Sequence, residues 1–381
     1  MKEMAGIIGS RARPAIMGIE PYVPGKPIEE VQREFGLKDV VKLASNENPL
    51  GPSPKVQEVL VKAAANLHRY PDGGAVILRR ALAEYHGVPE AGVLVGNGSD
   101  ELIKLIAESF VEPGDEVIVP SPSFSEYWFA TQVMAGRTVP VSLDESFQYD
   151  PERILEAVTP RTKLMYLCTP NNPTGTYIPE KALTDLVRRV PEHVLVVLDE
   201  AYHEYVEAED YGRGLPLIRE GAHVVVLRTF SKLYALAALR VGYALAHPDV
   251  IQLINRVREP FNVNAVAQAA AVAALGDEEH RRKSFEVNRA GKRQLYEGLE
   301  ALGCRCVPTE ANFILVEVPH SSTAVFEGLL RRGVIVRDGA AFGLPRYLRI
   351  SIGTEAENAR LLEEMAEVFR TWDARPAGLA D

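Results

Sequence analysis

Through the middle of the chain, short runs of consecutive apolar residues alternate with stretches whose apolar positions recur every three or four residues. Strand-like runs, most of them apolar at consecutive positions, fall at 93–95, 116–119, 137–141, 164–167, 194–198, 224–227 and 241–244. A strand that is apolar at consecutive positions buries both faces, as strands do in parallel sheets covered by helices on either side. The pattern therefore predicts an α/β unit built on a mainly parallel seven-stranded sheet. Beyond His247 and Pro248 the spacing turns helical, over 250–257 and over the alanine-rich 265–275, and the charged stretch 278–302 reads as one long helix. Strands near 312–316, 333–337 and 347–352, with helices near 323–332 and 355–369, predict a smaller α+β unit. The expected partition is a large domain over 51–277 and a small one over 278–381.

Composition permits this division and narrows the function only broadly. A chain of 381 residues with 46% apolar residues can bury a large core. The formal charge of −10 and the lack of any basic block argue against a nucleic-acid partner. No apolar stretch is long enough to span a bilayer and no signal peptide is visible, so a cytoplasmic protein without a membrane partner is expected. The cysteines, Cys168, Cys304 and Cys306, are odd in number and suit a reducing compartment. No histidine lies near the Cys304 and Cys306 pair, and no metal site is expected.

Polar motifs follow three of the apolar runs directly. Asn171-Asn172-Pro173-Thr174-Gly175 comes after Leu167, Asp199-Glu200-Ala201-Tyr202 after Leu198, and Arg228-Thr229-Phe230-Ser231-Lys232 after Leu227, with Arg240 eight residues past Lys232. Open α/β sheets place their ligands beyond the C-terminal ends of their strands. A lysine that bonds covalently to pyridoxal phosphate needs hydroxyls and a guanidinium nearby for the phosphate, and Thr229, Ser231 and Arg240 supply them. In that chemistry Asp199 pairs with the pyridine nitrogen and keeps it protonated, while Tyr202 and Asn172 reach the ring's phenolic oxygen. Lys232, displaced by the incoming amine, becomes a free base beside the substrate Cα. Each motif also has an ordinary reading, as a solvated lysine, an acidic helix start or a turn. Their joint order after the right elements favours the chemical one.

In these motifs the chain resembles the fold-type I pyridoxal-phosphate aminotransferases, and most closely the histidinol-phosphate aminotransferase family. The resemblance runs from Pro21-Tyr22-Val23-Pro24-Gly25-Lys26-Pro27 to Leu348-Arg349-Ile350-Ser351-Ile352-Gly353-Thr354, nearly the whole chain. It implies the fold-type I transferase architecture, with the N-terminal segment 1–50 on the small-domain side of the cleft. Gly96-Asn97-Gly98-Ser99-Asp100-Glu101 opens an amphipathic stretch whose first N–H groups form an anion site, and the resemblance assigns Gly98, Ser99 and Asp100 to the cofactor phosphate. It stacks Phe124, in Pro120-Ser121-Pro122-Ser123-Phe124, on the pyridine ring. Tyr70, in His68-Arg69-Tyr70-Pro71-Asp72-Gly73, is implied to reach the cofactor phosphate of a neighbouring subunit, which makes the enzyme a homodimer.

The same resemblance sets Arg349 at the substrate's anionic end and Arg337, in Gly333-Val334-Ile335-Val336-Arg337-Asp338-Gly339, as a second substrate-anion arginine. Tyr22 and Asn264 are further candidates for that pocket. One position departs from the common pattern: Ala238 precedes Leu239 and Arg240 where the family carries glycine, and an alanine resists positive φ there. The implied reaction is amino transfer from L-histidinol phosphate to 2-oxoglutarate, giving imidazole acetol phosphate and L-glutamate in histidine biosynthesis. Alternatives sharing these residues are a phenylalanine or tyrosine aminotransferase and a lyase of the threonine-phosphate decarboxylase type, because the bond cleaved depends on substrate pose. A cofactor-sensing transcription factor is disfavoured, since no basic DNA-binding module accompanies the motifs.

Overall fold

The computed structural model describes residues 9–21 and 25–373. Among them the chain forms β1 (Val41–Lys42), β2 (Val93–Gly96), β3 (Glu116–Ser121), β4 (Arg137–Ser142), β5 (Thr162–Cys168), β6 (Leu195–Asp199), β7 (Val224–Thr229), β8 (Gly242–Leu245), β9 (Arg305–Cys306), β10 (Phe313–Glu317), β11 (Val334–Ile335), β12 (Arg337–Asp338) and β13 (Tyr347–Ser351). One sheet has the order β2-β8-β7-β6-β5-β3-β4. Only β8 runs against the others, pairing antiparallel with both β2 and β7. The sheet is thus seven-stranded and mainly parallel, as the apolar runs predict.

Two-sided burial accounts for those runs. In β5, Leu164, Tyr166 and Cys168 enter one apolar core while Met165 and Leu167 enter the other. In β6, Leu195 and Val197 join the core of Leu164 and Tyr166, and Val196 and Leu198 join that of Met165 and Leu167. Alternate side chains point to opposite faces, so a sheet covered on both sides requires apolar residues at every position. The chain passes from β3 outward to β4, then returns so that β5 pairs on the other side of β3. Such a reversal opens a crevice beyond the C-terminal ends of the flanking strands.

The smaller sheet, β12-β13-β10-β9, is antiparallel throughout. Its core packs Ile314, Val316, Leu348 and Ile350 against Leu295 and Leu299 of the helix Glu278–Ala301, Val325 and Leu329 of Ser322–Arg331, and Leu361 and Met365 of Glu355–Asp373. The sequence predicts one strand at 333–337, whereas the structure has two short ones. The carbonyls of Gly333 and Ile335 accept from the N–H groups of Val41 and Leu43 at 2.8 and 2.7 Å, so β11 is taken up in a separate parallel pair with β1. Past Val336 the chain is free to join β13 as β12. Backbone groups seek whichever partner is near, and here the partner comes from the opposite end of the chain. Among the described residues no helix is long and apolar enough to cross a membrane.

Candidate active site

A cleft lies beyond the C-terminal ends of β5, β6 and β7. Asn172, Asp199, Tyr202, Thr229, Ser231, Lys232 and Arg240 line it, with Ser99, Asp100 and Phe124 from the large sheet's other loops and Arg337 and Arg349 from the smaller sheet. Residues far apart in sequence therefore converge because most follow or end strands of the large sheet, while Arg337 and Arg349 lie on strands of the smaller one.

Lys232 sits three residues past β7, and its amine donates to the Ser45 carbonyl at 3.3 Å. Burial, reinforced by the positive Arg349, pulls this amine down to about 8, so a substantial neutral fraction exists near physiological pH. Asp199 is the last residue of β6 and is 3% exposed. Burial pushes its carboxyl up to about 6, opposed by hydrogen bonds from the Tyr127 hydroxyl at 2.7 Å and the Ala201 N–H at 3.2 Å. A cationic partner is the natural occupant for a carboxylate held at such a cost. Directly behind it, Arg228 donates to Glu200 Oε2 at 3.0 and 2.8 Å, and Glu200 Oε1 accepts the Gly214 N–H. This buried pair ties the end of β6 to that of β7, and so Asp199 to Thr229.

Tyr202 and Asn172 have their hydrogen-bonding polarity set by neighbours. The Tyr202 hydroxyl accepts from Asn46 Nδ2 at 3.0 Å, which leaves its own proton to donate. Asn172 Oδ1 accepts from Arg349 Nη1 at 2.7 Å, which leaves its amide N–H groups as donors. The turn carrying Asn172 is held by Asn171, whose side chain bonds Ser123, Thr174 and the Pro122 carbonyl. Arg349 also donates to the Ala44 carbonyl at 2.6 Å and is 7% exposed.

At the other end of the cleft, Gly98 precedes the helix Ser99–Phe110 with φ of 84°. A Cβ at Gly98 would stand 2.5 Å from Arg240 Nη2, so only glycine lets that guanidinium approach the helix start. Arg240 reaches Asp100 Oδ2 at 3.0 Å and the Ser231 hydroxyl at 3.5 Å. Helix N–H groups, hydroxyls and a guanidinium meeting at one point constitute an anion site. The expected difficulty at Ala238 does not arise: Ala238 lies in the 3₁₀ turn Ala237–Leu239, and left-handed backbone falls instead on Ala235 and Arg240, at φ of 58° and 54°.

Two sequence candidates lie elsewhere. Asn264 is outside the cleft; its side chain caps the helix Ala265–Leu275 by accepting the Ala267 N–H at 2.7 Å and donates to the Leu239 carbonyl. That capping use explains an asparagine there without any substrate. Tyr70 is 84% exposed, stacked on Phe261 with ring centroids 4.9 Å apart, and does not line the cleft of its own chain. Tyr22 lies outside the described residues. Conversely, Ser45, Asn46 and Glu47 line the cleft without having been singled out. The polar segment Ala44-Ser45-Asn46-Glu47-Asn48 after an apolar pair was the available signal.

Comparison with known proteins accords with this geometry. Residues 38–365 match the family profile of aminotransferase class I and II. The chain is 53% identical over 360 residues to the histidinol-phosphate aminotransferase of Moorella thermoacetica, covering 94% of this chain and 93% of that one. It is 48% identical over 357 residues to that of an Anaeromyxobacter species, covering 93% and 98%. Among solved structures, the histidinol-phosphate aminotransferase of Sinorhizobium meliloti in complex with pyridoxal-5′-phosphate superposes with a TM-score of 0.89 at 30% identity, over 97% of this chain and all of that one. The strand order, the lysine beyond β7 and these matches along almost the full length lead to one assignment: the chain belongs to the histidinol-phosphate aminotransferase family, within the fold-type I pyridoxal-phosphate-dependent aminotransferases.

Proposed function

We propose that this aminotransferase moves the amino group of L-histidinol phosphate to 2-oxoglutarate, giving imidazole acetol phosphate and L-glutamate in histidine biosynthesis. The observation that carries the choice of donor is the register of Arg337 and Arg349. They stand directly opposite each other on β12 and β13 and both line the cleft. Like charges opposed across a ladder destabilise it, so this pairing favours an anion between them. The Phe342 ring lies near both guanidinium groups, 5.9 and 5.4 Å from their carbons, and limits their spread. Two guanidinium groups on one face suit a doubly charged phosphate, where one suffices for a carboxylate. The activity named for the Moorella thermoacetica relative supports the same choice.

The residues present fit pyridoxal 5′-phosphate. The Gly98 cradle, with Ser99, Thr229, Ser231 and Arg240, suits its phosphate, and Asp100 fixes the guanidinium. When bound, the cofactor supplies an aldehyde that condenses with amines and a ring that accepts electrons. Asp199 would hold the ring nitrogen with its negative charge. Tyr202 and Asn172 would offer their remaining O–H and N–H donors to the phenolic oxygen, and Phe124 would cover a ring face. With the cofactor bound, Lys232 would take the proton from the substrate Cα and hold it for return on the other side of the transfer, a task suited to an amine near 8. Arg349, already anchored on Asn172 and Ala44, orients the anionic end of either substrate.

Arg337 separates donors. Arg337→Ala should lower kcat/KM for histidinol phosphate about ten- to one-hundred-fold, the loss of a charge-assisted bond to phosphate, and change phenylalanine turnover little. Steady-state kinetics with both donors measures it. Faster conversion of phenylalanine than of histidinol phosphate by the wild type would instead assign an aromatic aminotransferase.

The same reading makes the enzyme a cytoplasmic homodimer. The three cysteines are free thiols, as a reducing compartment allows. Exposure of the stacked Tyr70 and Phe261 rings, 84% and 46%, supports their burial against a second copy. Tyr70→Phe should weaken cofactor retention. Mixed with Lys232→Ala after subunit exchange, it should restore activity at one of the two sites in each heterodimer, because that site draws its lysine from one chain and its tyrosine from the other. No recovery despite proven exchange would rule out the shared site.

A further inference from the structure

Tyr127 lies outside the cleft lining, yet its hydroxyl is 2.7 Å from Asp199 Oδ2. It belongs to the helix Glu126–Val133, the next helix after Phe124, and is fully buried. Its ring stacks on Tyr166 with centroids 4.7 Å apart at 11°, and meets Phe124 edge-on at 5.7 Å and 85°. A ring clamped on two sides cannot swing, so the position of the hydroxyl is set by packing. A carboxylate only accepts, so the phenol donates. Burial, with the adjacent Asp199 charge, keeps the Tyr127 phenol well above its ordinary range and hence protonated.

The surroundings of Asp199 give this donor leverage. Burial and the carboxylates of Asp100 and Glu200 all favour a proton on Asp199, and the nearby Cys168, held above its usual thiol range by burial, brings no positive charge. Among the described residues, the groups that act the other way are the Ala201 N–H on one oxygen and Tyr127 on the other. When a carboxylate and a pyridine nitrogen share one proton away from water, it resides on the more basic of the two. The balance is therefore sensitive to a single hydrogen bond on the carboxylate.

We propose that Tyr127 is a positioning residue for amino transfer: its hydroxyl fixes the Asp199 carboxylate in its ionised form, so that the shared proton stays on the cofactor ring nitrogen. The proposal rests on the reading that Asp199 faces that nitrogen. Tyr127 also couples two contacts to the cofactor, because the ring that touches Phe124 carries the hydroxyl that touches Asp199. No titration of its own is involved; it is a permanent neutral donor.

The test is nitrogen NMR of the holoenzyme reconstituted with cofactor labelled with ¹⁵N in the ring. In the wild type the resonance should sit at the protonated position. Tyr127→Phe keeps the ring and its stacking but removes the donor; its resonance should move toward the unprotonated position at the same pH, with kcat about ten- to one-hundred-fold lower and donor KM little changed. Tyr166→Phe, which loses only a hydroxyl bonded to the Ile103 carbonyl, should leave the resonance in place. A wild-type resonance in Tyr127→Phe overturns the proposal, provided Asp199→Asn does shift it. If Asp199→Asn leaves the resonance unmoved as well, the fault lies in the assignment of Asp199 and the Tyr127 proposal falls with it. A shift in Tyr166→Phe equal to that in Tyr127→Phe would reduce Tyr127 to packing and also overturn it.

Discussion

Replacing Lys232 by alanine is expected to abolish turnover, lowering kcat by at least about 10⁴-fold, while the fold and cofactor binding persist. General base catalysis by a positioned side chain is worth about 10²–10⁴-fold by itself, and under the proposed function Lys232 also holds the cofactor covalently. Among the described residues no other amine lines the cleft, since the remaining cations there, Arg240, Arg337 and Arg349, are guanidinium groups that do not deprotonate. Structure should survive because the side chain makes one long hydrogen bond, to Ser45, and faces the cleft instead of packing in the core. Non-covalent retention should survive because the phosphate cup and Asp199 remain. Two measurements check this: single-turnover deprotonation of a Cα-deuterated donor, and cofactor content after gel filtration together with thermal unfolding. Residual activity within tenfold of wild type would remove Lys232 from the chemistry. Added small primary amines should return part of the lost rate, since they supply the missing base without the tether.

How much of this was legible in the sequence follows from what each feature depends on. The sheet was legible because burial on two faces leaves a mark in consecutive residues, as at 194–198, with no knowledge of neighbours required. The meeting of Lys232, Asp199 and Asn172 in one cleft was legible because each sits in a short polar motif just beyond such a run. Features set by distant partners were not. The two-residue strands β1 and β11 exist only because they meet, and the strand expected at 333–337 breaks to let them do so. The Arg349 to Asn172 bond joins positions 177 residues apart and fixes which end of the amide faces the cleft. Tyr127 carries no local signal at all: an aromatic beside Phe124 in an apolar helix reads as core, which its ring is, and only the hydroxyl's destination sets it apart. Asn264 is the reverse case, a polar residue whose described use is to cap a helix start outside the cleft lining.

Asp199→Asn should be the next most damaging change, lowering the rate of Cα deprotonation about 10²–10³-fold, the range found when one preorganised charge-stabilising group is removed. The substitution is nearly isosteric. The amide oxygen can still accept from Tyr127, and the Glu200–Arg228 pair behind it is untouched, so position is retained while charge is lost. What the residue supplies is therefore isolated as electrostatics. A full negative charge that is 3% exposed acts in a low-dielectric setting, where it stabilises a protonated ring nitrogen far more than it would in water. An amide offers only a dipole. The carboxyl rests near 6 because burial disfavours its charge, so a cationic partner both relieves that penalty and pulls the group back down; the ion pair should persist as pH falls below 6, with the benefit lost at lower pH in the wild type and absent throughout in the variant. Cofactor affinity should drop less than the rate, because the phosphate cup is unchanged. Single-turnover measurements with a Cα-deuterated donor, made on both proteins across pH 5 to 9, decide the matter. Near-wild-type deprotonation in Asp199→Asn, with the cofactor shown to be bound, would sink the role given to this carboxylate and leave its burial at the end of β6 without a chemical reason.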